Sequence, residues 1–246
     1  MGEINNLSDL FRIFENRTSG RIMYFRGQAR DWPLRPSLSR EGVTEQERAK
    51  EPECFERLAK ILPSVNDWER ATIAQHYGVP TRLIDWSENP LVGLYFALDD
   101  KNYDNEDGVI WVFEDQTIIV KKVASLRDGI GLRKLKYPRP FRAWKELQLK
   151  IPRTKAQRGS LTSQPDLSND FDKQNFDQNT QSLKKFIVPK QSKTKLLKQI
   201  EILGVTEERL FPDFLDIGNR QPTNLVGACM RIRCELFITG QGPTKP

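Results

Sequence analysis

Gln75-His76-Tyr77-Gly78-Val79-Pro80-Thr81-Arg82-Leu83-Ile84-Asp85-Trp86-Ser87 is the stretch from which the fold can be read. A helix runs into it and ends near His76, and Gly78 closes that helix in the left-handed conformation glycine adopts without penalty. Thr81 to Asp85 follows Pro80 as a short strand. Ser87 or Asn89 then caps a second helix, with Pro90 at its first position. Leu91, Leu94, Tyr95 and Leu98 form the buried face of that helix. Within the stretch, Leu83, Ile84 and Trp86 read as core. His76, Thr81, Arg82 and Asp85 do not, because polar groups at the ends of a short strand are costly to bury unpaired.

Working outward, the nearest partner lies upstream. Arg21 to Arg26 alternates as a strand, with Ile22, Tyr24 and Arg26 on one face and Met23 and Phe25 on the other. Gly27 ends it and lets the backbone approach another group closely. An arginine at such a position presents a planar fork of donors suited to phosphate or ribose. Ser8 to Asn16 has the spacing of an amphipathic helix. Ala29 to Arg40 is an irregular loop whose Arg30, Arg35 and Arg40 are placed to line an anionic groove. Thr44 to Leu62 reads as one helix, stopped by Pro63. Downstream come a buried strand from Gly108 to Phe113 and a proline-rich irregular run from Tyr137 to Phe141. A basic turn from Arg153 then leads into a strand ending near Thr162. Residues 164–182 form a polar insertion loop. A strand over Phe186 to Pro189 precedes a helix through Leu196, Leu197, Ile200 and Leu203, ended by Gly204. Helices and strands mix without a βαβ repeat, so the class is α+β, a single domain over 1–246 with a core of about 20–216 and a C-terminal extension at 222–246.

The composition narrows the function classes. The chain has 246 residues, a net charge of +6 and 37% hydrophobic residues. A basic balance suits an anionic partner such as nucleic acid, a nucleotide or an acidic protein. Three cysteines without a CxxC pair, and one histidine, speak against a disulfide framework and a zinc site. No metal is expected. Neither a signal-like apolar run nor a membrane-length apolar stretch is visible, so the expectation is a soluble cytoplasmic protein without a membrane partner. There is no GxGxxG, Walker loop or internal repeat.

Tyr24-Phe25-Arg26-Gly27-Gln28, then Ala74 to Ser87 with Asn89-Pro90 and Leu94-Tyr95-Phe96-Ala97, resemble the FRG domain family. Ala156-Gln157-Arg158-Gly159 before Leu161-Thr162, and Leu203-Gly204-Val205 with Leu210-Phe211-Pro212-Asp213, are similar to its closing motifs. The resemblance spans about Tyr24 to Asp216. A second, weaker resemblance is to the ADP-ribosyltransferase fold, which implies a mixed or antiparallel split sheet flanked by helices. By order of parts, Arg26 matches the arginine of its first core strand. Asp85-Trp86-Ser87 with the following helix matches the second motif, and Gln157 the third.

That resemblance implies a transferase cleaving NAD at the nicotinamide–ribose bond through an oxocarbenium-like transition state. Arg26 would anchor NAD, in a pocket made with Tyr24, Gly27, Gln28 and Arg82. Tyr77 or Trp86 would stack on nicotinamide, and Ser87 or Thr81 would hold its ribose. Gln157 can donate hydrogen bonds but carries no charge, so Asp85 or Glu146 would supply the carboxylate and His76 a general base. Arg30, Arg35, Lys155 and Arg158 would hold a nucleic-acid acceptor, RNA or DNA. Such an enzyme would serve as a toxin or antiphage effector, with an antitoxin or other cognate protein as partner. Two alternatives stay open: a non-catalytic nucleotide- or nucleic-acid-binding module using the same pocket, and a nuclease built on His76 and Asp85.

Overall fold

The computed structural model describes residues 2–64, 67–76, 78–116, 138–141 and 152–212. These build one seven-stranded sheet in the order β1-β7-β4-β2-β3-β6-β5. The strands are β1 Gly2–Glu3, β2 Ile22–Gln28, β3 Leu83–Ser87, β4 Gly108–Asp115, β5 Arg139–Phe141, β6 Gly159–Ser163 and β7 Gln181–Val188. β1 runs parallel to β7 and every other pairing is antiparallel. The class is therefore α+β, with a mixed sheet and flanking helices.

The quoted stretch folds much as its punctuation dictates. Helix α4, Asp67–His76, gives way to Gly78 at φ 79°, and β3 begins two residues later than expected, at Leu83. Asn89 is the cap of α5, Pro90–Leu98, and its side chain accepts the Leu91 N–H. Helix α1, Leu7–Glu15, is closed at its start by a reciprocal Asn6–Asp9 capping box. The expected single helix over 44–62 is two, α2 Glu45–Ala49 and α3 Glu51–Ile61. Pro52 is the cause. It has no N–H to donate, so the chain starts a fresh helix at its first turn instead of continuing the old one. The run 137–141, read as irregular, contains edge strand β5, where Pro140 is tolerated because one side of an edge needs no donor. A short helix α6, Pro152–Ala156, precedes β6, and α7, Lys190–Ile202, is followed by Gly204 at φ 86° and by α8, Glu207–Leu210. The C-terminal extension read at 222–246 falls outside the described residues.

Alternation along the strands separates two cores. Met23, Phe25, Ile110 and Val112 face α1, α5 and α7, joining Leu10, Ile13, Leu94, Leu196 and Ile200. On the other face lie Tyr24, Ile84, Trp86, Val109, Trp111, Phe113 and Phe171. The polar segment 164–182 is fastened to this second core. Phe171 is fully buried there, and its N–H bonds to the Leu34 carbonyl at 2.7 Å. Gly27 has a packing reason. A side chain there would collide with the Gly93 carbonyl and the Ala97 amide, so the backbone β2 needs to bring close is that of α5.

Candidate functional site

β2 and β3 are neighbours in the sheet yet pair only at Phe25–Ser87. Beyond that pair the strands part. The next residue, Arg26, fills the gap: its Nη1 donates to the Asp85 carbonyl at 2.9 Å, replacing the backbone donor that continued pairing would have supplied. Its side chain is 11% exposed, and Nε is buried with no hydrogen-bond partner. Nη1 also stands 4.0 Å from Asp85 Oδ2. Burial pushes the Arg26 guanidinium down to about 10; Asp85 opposes this and the charge of Arg40 adds to it. It remains a cation at neutral pH. Burial likewise lowers Arg40, again against the pull of Asp85. Two arginines thus share one carboxylate, and the seam carries a surplus of positive charge.

Asp85 is held from the other side by α4. Gln75 Nε2 donates to Asp85 Oδ2 at 2.6 Å, and Thr81 Oγ1 donates to Gln75 Oε1 at 2.7 Å. Thr81 is tied to the loop over 29–40, its N–H donating to Ser37 Oγ at 2.9 Å and its carbonyl accepting the Leu38 N–H at 3.0 Å. Gln75, the one carboxamide in the quoted stretch, is a site residue that sequence reasoning misses.

The other candidates divide. Arg82 is committed elsewhere, in a buried bidentate pair with Glu51 and in hydrogen bonds to the carbonyls of Gln164 and Pro165. Trp86 is 3% exposed, donates Nε1 to Thr162 Oγ1 at 2.8 Å and packs on Phe113 and Phe171, so no face is open for stacking. Gln28 accepts from Trp111 Nε1 at 2.7 Å, and Tyr24 is buried against Phe113. His76 lies in the last turn of α4, half-buried, directly after Gln75. Tyr77 and Glu146 lie outside the described residues.

Ser87 and Gln157 do meet. Ser87 Oγ donates to the Gln157 carbonyl at 2.6 Å, and the Glu88 N–H donates to the Arg158 carbonyl at 3.1 Å. The Gln157 side chain donates to the Leu210 carbonyl at 3.2 Å. Arg158 takes φ 47°, the only positive φ at a non-glycine among the described residues, and the turn before β6 is held in this less favourable form by those two bonds. Of the expected nucleic-acid contacts, Arg30 pairs with Glu106 at 3.5 Å and Arg35 with Asp170. Lys155 and Arg158 are exposed beside Gln157.

Among the described residues, no three His, Cys, Asp or Glu side chains stand together as a metal site, and no helix is long and apolar enough to cross a membrane. The molecule is thus defined, as a class, by an α+β sheet parted at one seam, with a buried, incompletely paired arginine in the gap. Residues 21–106 form a segment that matches the FRG domain. It holds Arg26, Gln75, Thr81 and Asp85, whereas Gln157 lies beyond it. No curated protein and no solved structure matches the chain.

Proposed function

We propose that the seam between β2 and β3 binds the diphosphate of NAD and that the protein is an ADP-ribosyltransferase. The observation that carries this is Arg26: a charged guanidinium, buried, with Nε unpartnered and less than one carboxylate to balance it. A buried donor left unpaired costs stability, about 1–3 kcal/mol, unless a ligand completes it. A phosphate oxygen is the natural complement of an arginine fork. In the reaction the bond between the ribose C1′ and nicotinamide breaks, the leaving pyridine takes the bonding pair, and an acceptor hydroxyl or amine bonds to C1′ and loses its proton to water or a base. Asp85 is the carboxylate near Arg26 that can face the developing positive charge. Exposed Lys155 and Arg158 beside Gln157, with a net charge of +6, suit a nucleic-acid acceptor. A toxin or antiphage effector, restrained by a cognate protein, is the role such an activity would serve.

A second reading is a nucleotide-binding module without turnover. It is favoured by Gln157, a neutral side chain whose amide is already bonded to Leu210. Incubation with labelled NAD and separate RNA, DNA and protein pools distinguishes the two. Label in one pool with release of nicotinamide supports the transferase. Neither label nor nicotinamide removes it, and NAD binding that Arg26→Ala abolishes then leaves the module.

A further inference from the structure

The hydrogen bonds around Gln75 have only one consistent direction. The Leu83 backbone N–H can only donate, and it lies 3.3 Å from Thr81 Oγ1. That oxygen accepts there and still has its own hydrogen to give; Asp85, as a carboxylate, can only accept and so faces the amide nitrogen, which turns Gln75 Oε1 to take the Thr81 hydrogen at 2.7 Å. With Oε1 occupied by a donor, the amide is fixed with Nε2 toward Asp85 Oδ2, at 2.6 Å. The chain runs from backbone through Thr81 and Gln75 to the carboxylate, and its start is pinned because Thr81 is held by Ser37 and Leu38 on the loop above. A carboxylate held this way cannot rotate freely. Yet Asp85 is not a structural group at rest: its side chain is 57% exposed, and Oδ1 has no partner among the described residues.

We propose that Gln75 is a positioning residue, set by Thr81, that aims Asp85 Oδ1 to accept a hydrogen bond from a sugar hydroxyl of the ligand whose phosphate Arg26 holds. The ligand class is thereby a phosphorylated sugar or nucleotide with a free diol, and Asp85 is its carboxylate contact. This rests on the nucleotide reading of the seam, and the test separates the two.

The test titrates the full chain with two probes, ADP-ribose and inorganic pyrophosphate. The second carries the charge but no hydroxyl. Gln75→Met keeps the length of the side chain and adds no charge but cannot donate to Asp85. It is expected to weaken ADP-ribose roughly ten-fold, the size of one hydrogen bond to a charged group, and to leave pyrophosphate within about two-fold. Thr81→Val, which leaves Gln75 Oε1 without its donor and unpins the amide, should do the same, and Thr81→Ser should restore binding. These two carry the test if Gln75→Met does not fold, as judged by its circular dichroism melt. Loss of both probes in equal measure would reduce Gln75 to a structural residue and overturn the proposal. So would ADP-ribose binding that none of the variants changes, or absence of ADP-ribose binding by the wild type. Nicotinamide release from NAD is read separately. Its absence alongside the expected ADP-ribose pattern ends the transferase reading and leaves the role of Gln75 standing.

Discussion

Arg82 and Arg26 are both buried arginines beside one carboxylate, and they differ in every respect that matters for function. Arg82 and Glu51 are 6% and 4% exposed, joined by two hydrogen bonds along one guanidinium edge, with backbone carbonyls taking further guanidinium donors. Nothing is left for a ligand to do. Arg26 is buried to a similar degree, but Asp85 is largely exposed, its carboxylate is 4.0 Å away, and Nε is unmet. Burial by itself therefore does not mark a site here. What distinguishes the two is whether the burial is compensated, because a completed pair stabilises the fold while an incomplete one stores affinity.

Breaking the completed pair should have the largest effect. Glu51→Ala leaves Arg82 as an uncompensated buried charge, with an expected loss of about 3–5 kcal/mol in urea unfolding. Gly27→Ala comes next. The added methyl drives β2 away from the α5 backbone at the point where Arg26 is placed, and overpacking of this kind costs roughly 1–3 kcal/mol. The same melts should show ligand-induced stabilisation lost with it. Arg26→Met sharpens the contrast from the other side. It removes a charge the fold does not compensate, so stability should move by less than about 1 kcal/mol while NAD binding by calorimetry disappears. A loss comparable to that of Glu51→Ala would instead place Arg26 among the structural arginines. The smallest effect belongs to Arg158→Gly. Relieving the positive φ at 47° should stabilise the protein by about 1 kcal/mol, read as a higher urea midpoint with an unchanged slope.

Much of the candidate site was legible, but unevenly. Arg26 and Asp85 stood out as polar residues at the ends of apolar strands. Arg82 stood out by the same rule and proved to be paired with a residue 31 positions earlier, a distance no local pattern reports. Trp86 reads both as core and as a ring for nicotinamide, and the structure makes it core: its indole is spent on Thr162 and two phenylalanines. Gln75 is not legible in the sequence, because an amide next to a histidine carries no chemical signature until its hydrogen-bond directions are known. In sequence Arg40 is one arginine of a basic loop, and only its electrostatic coupling to Asp85 and Arg26 gives it weight.

What the sequence by itself determined is the succession of elements around its central stretch. Gly78 ends a helix, Asn89 and Pro90 begin one, and Pro52 divides one. Each acts through its own backbone geometry or missing N–H, and such effects reach only a turn or so along the chain. Only the tertiary structure decided which charges are satisfied. That depends on strands 59 positions apart, Arg26 and Asp85, being brought together and then allowed to part. The desolvation of a guanidinium, and the surplus charge that makes the seam a site, exist only once the sheet has formed around it.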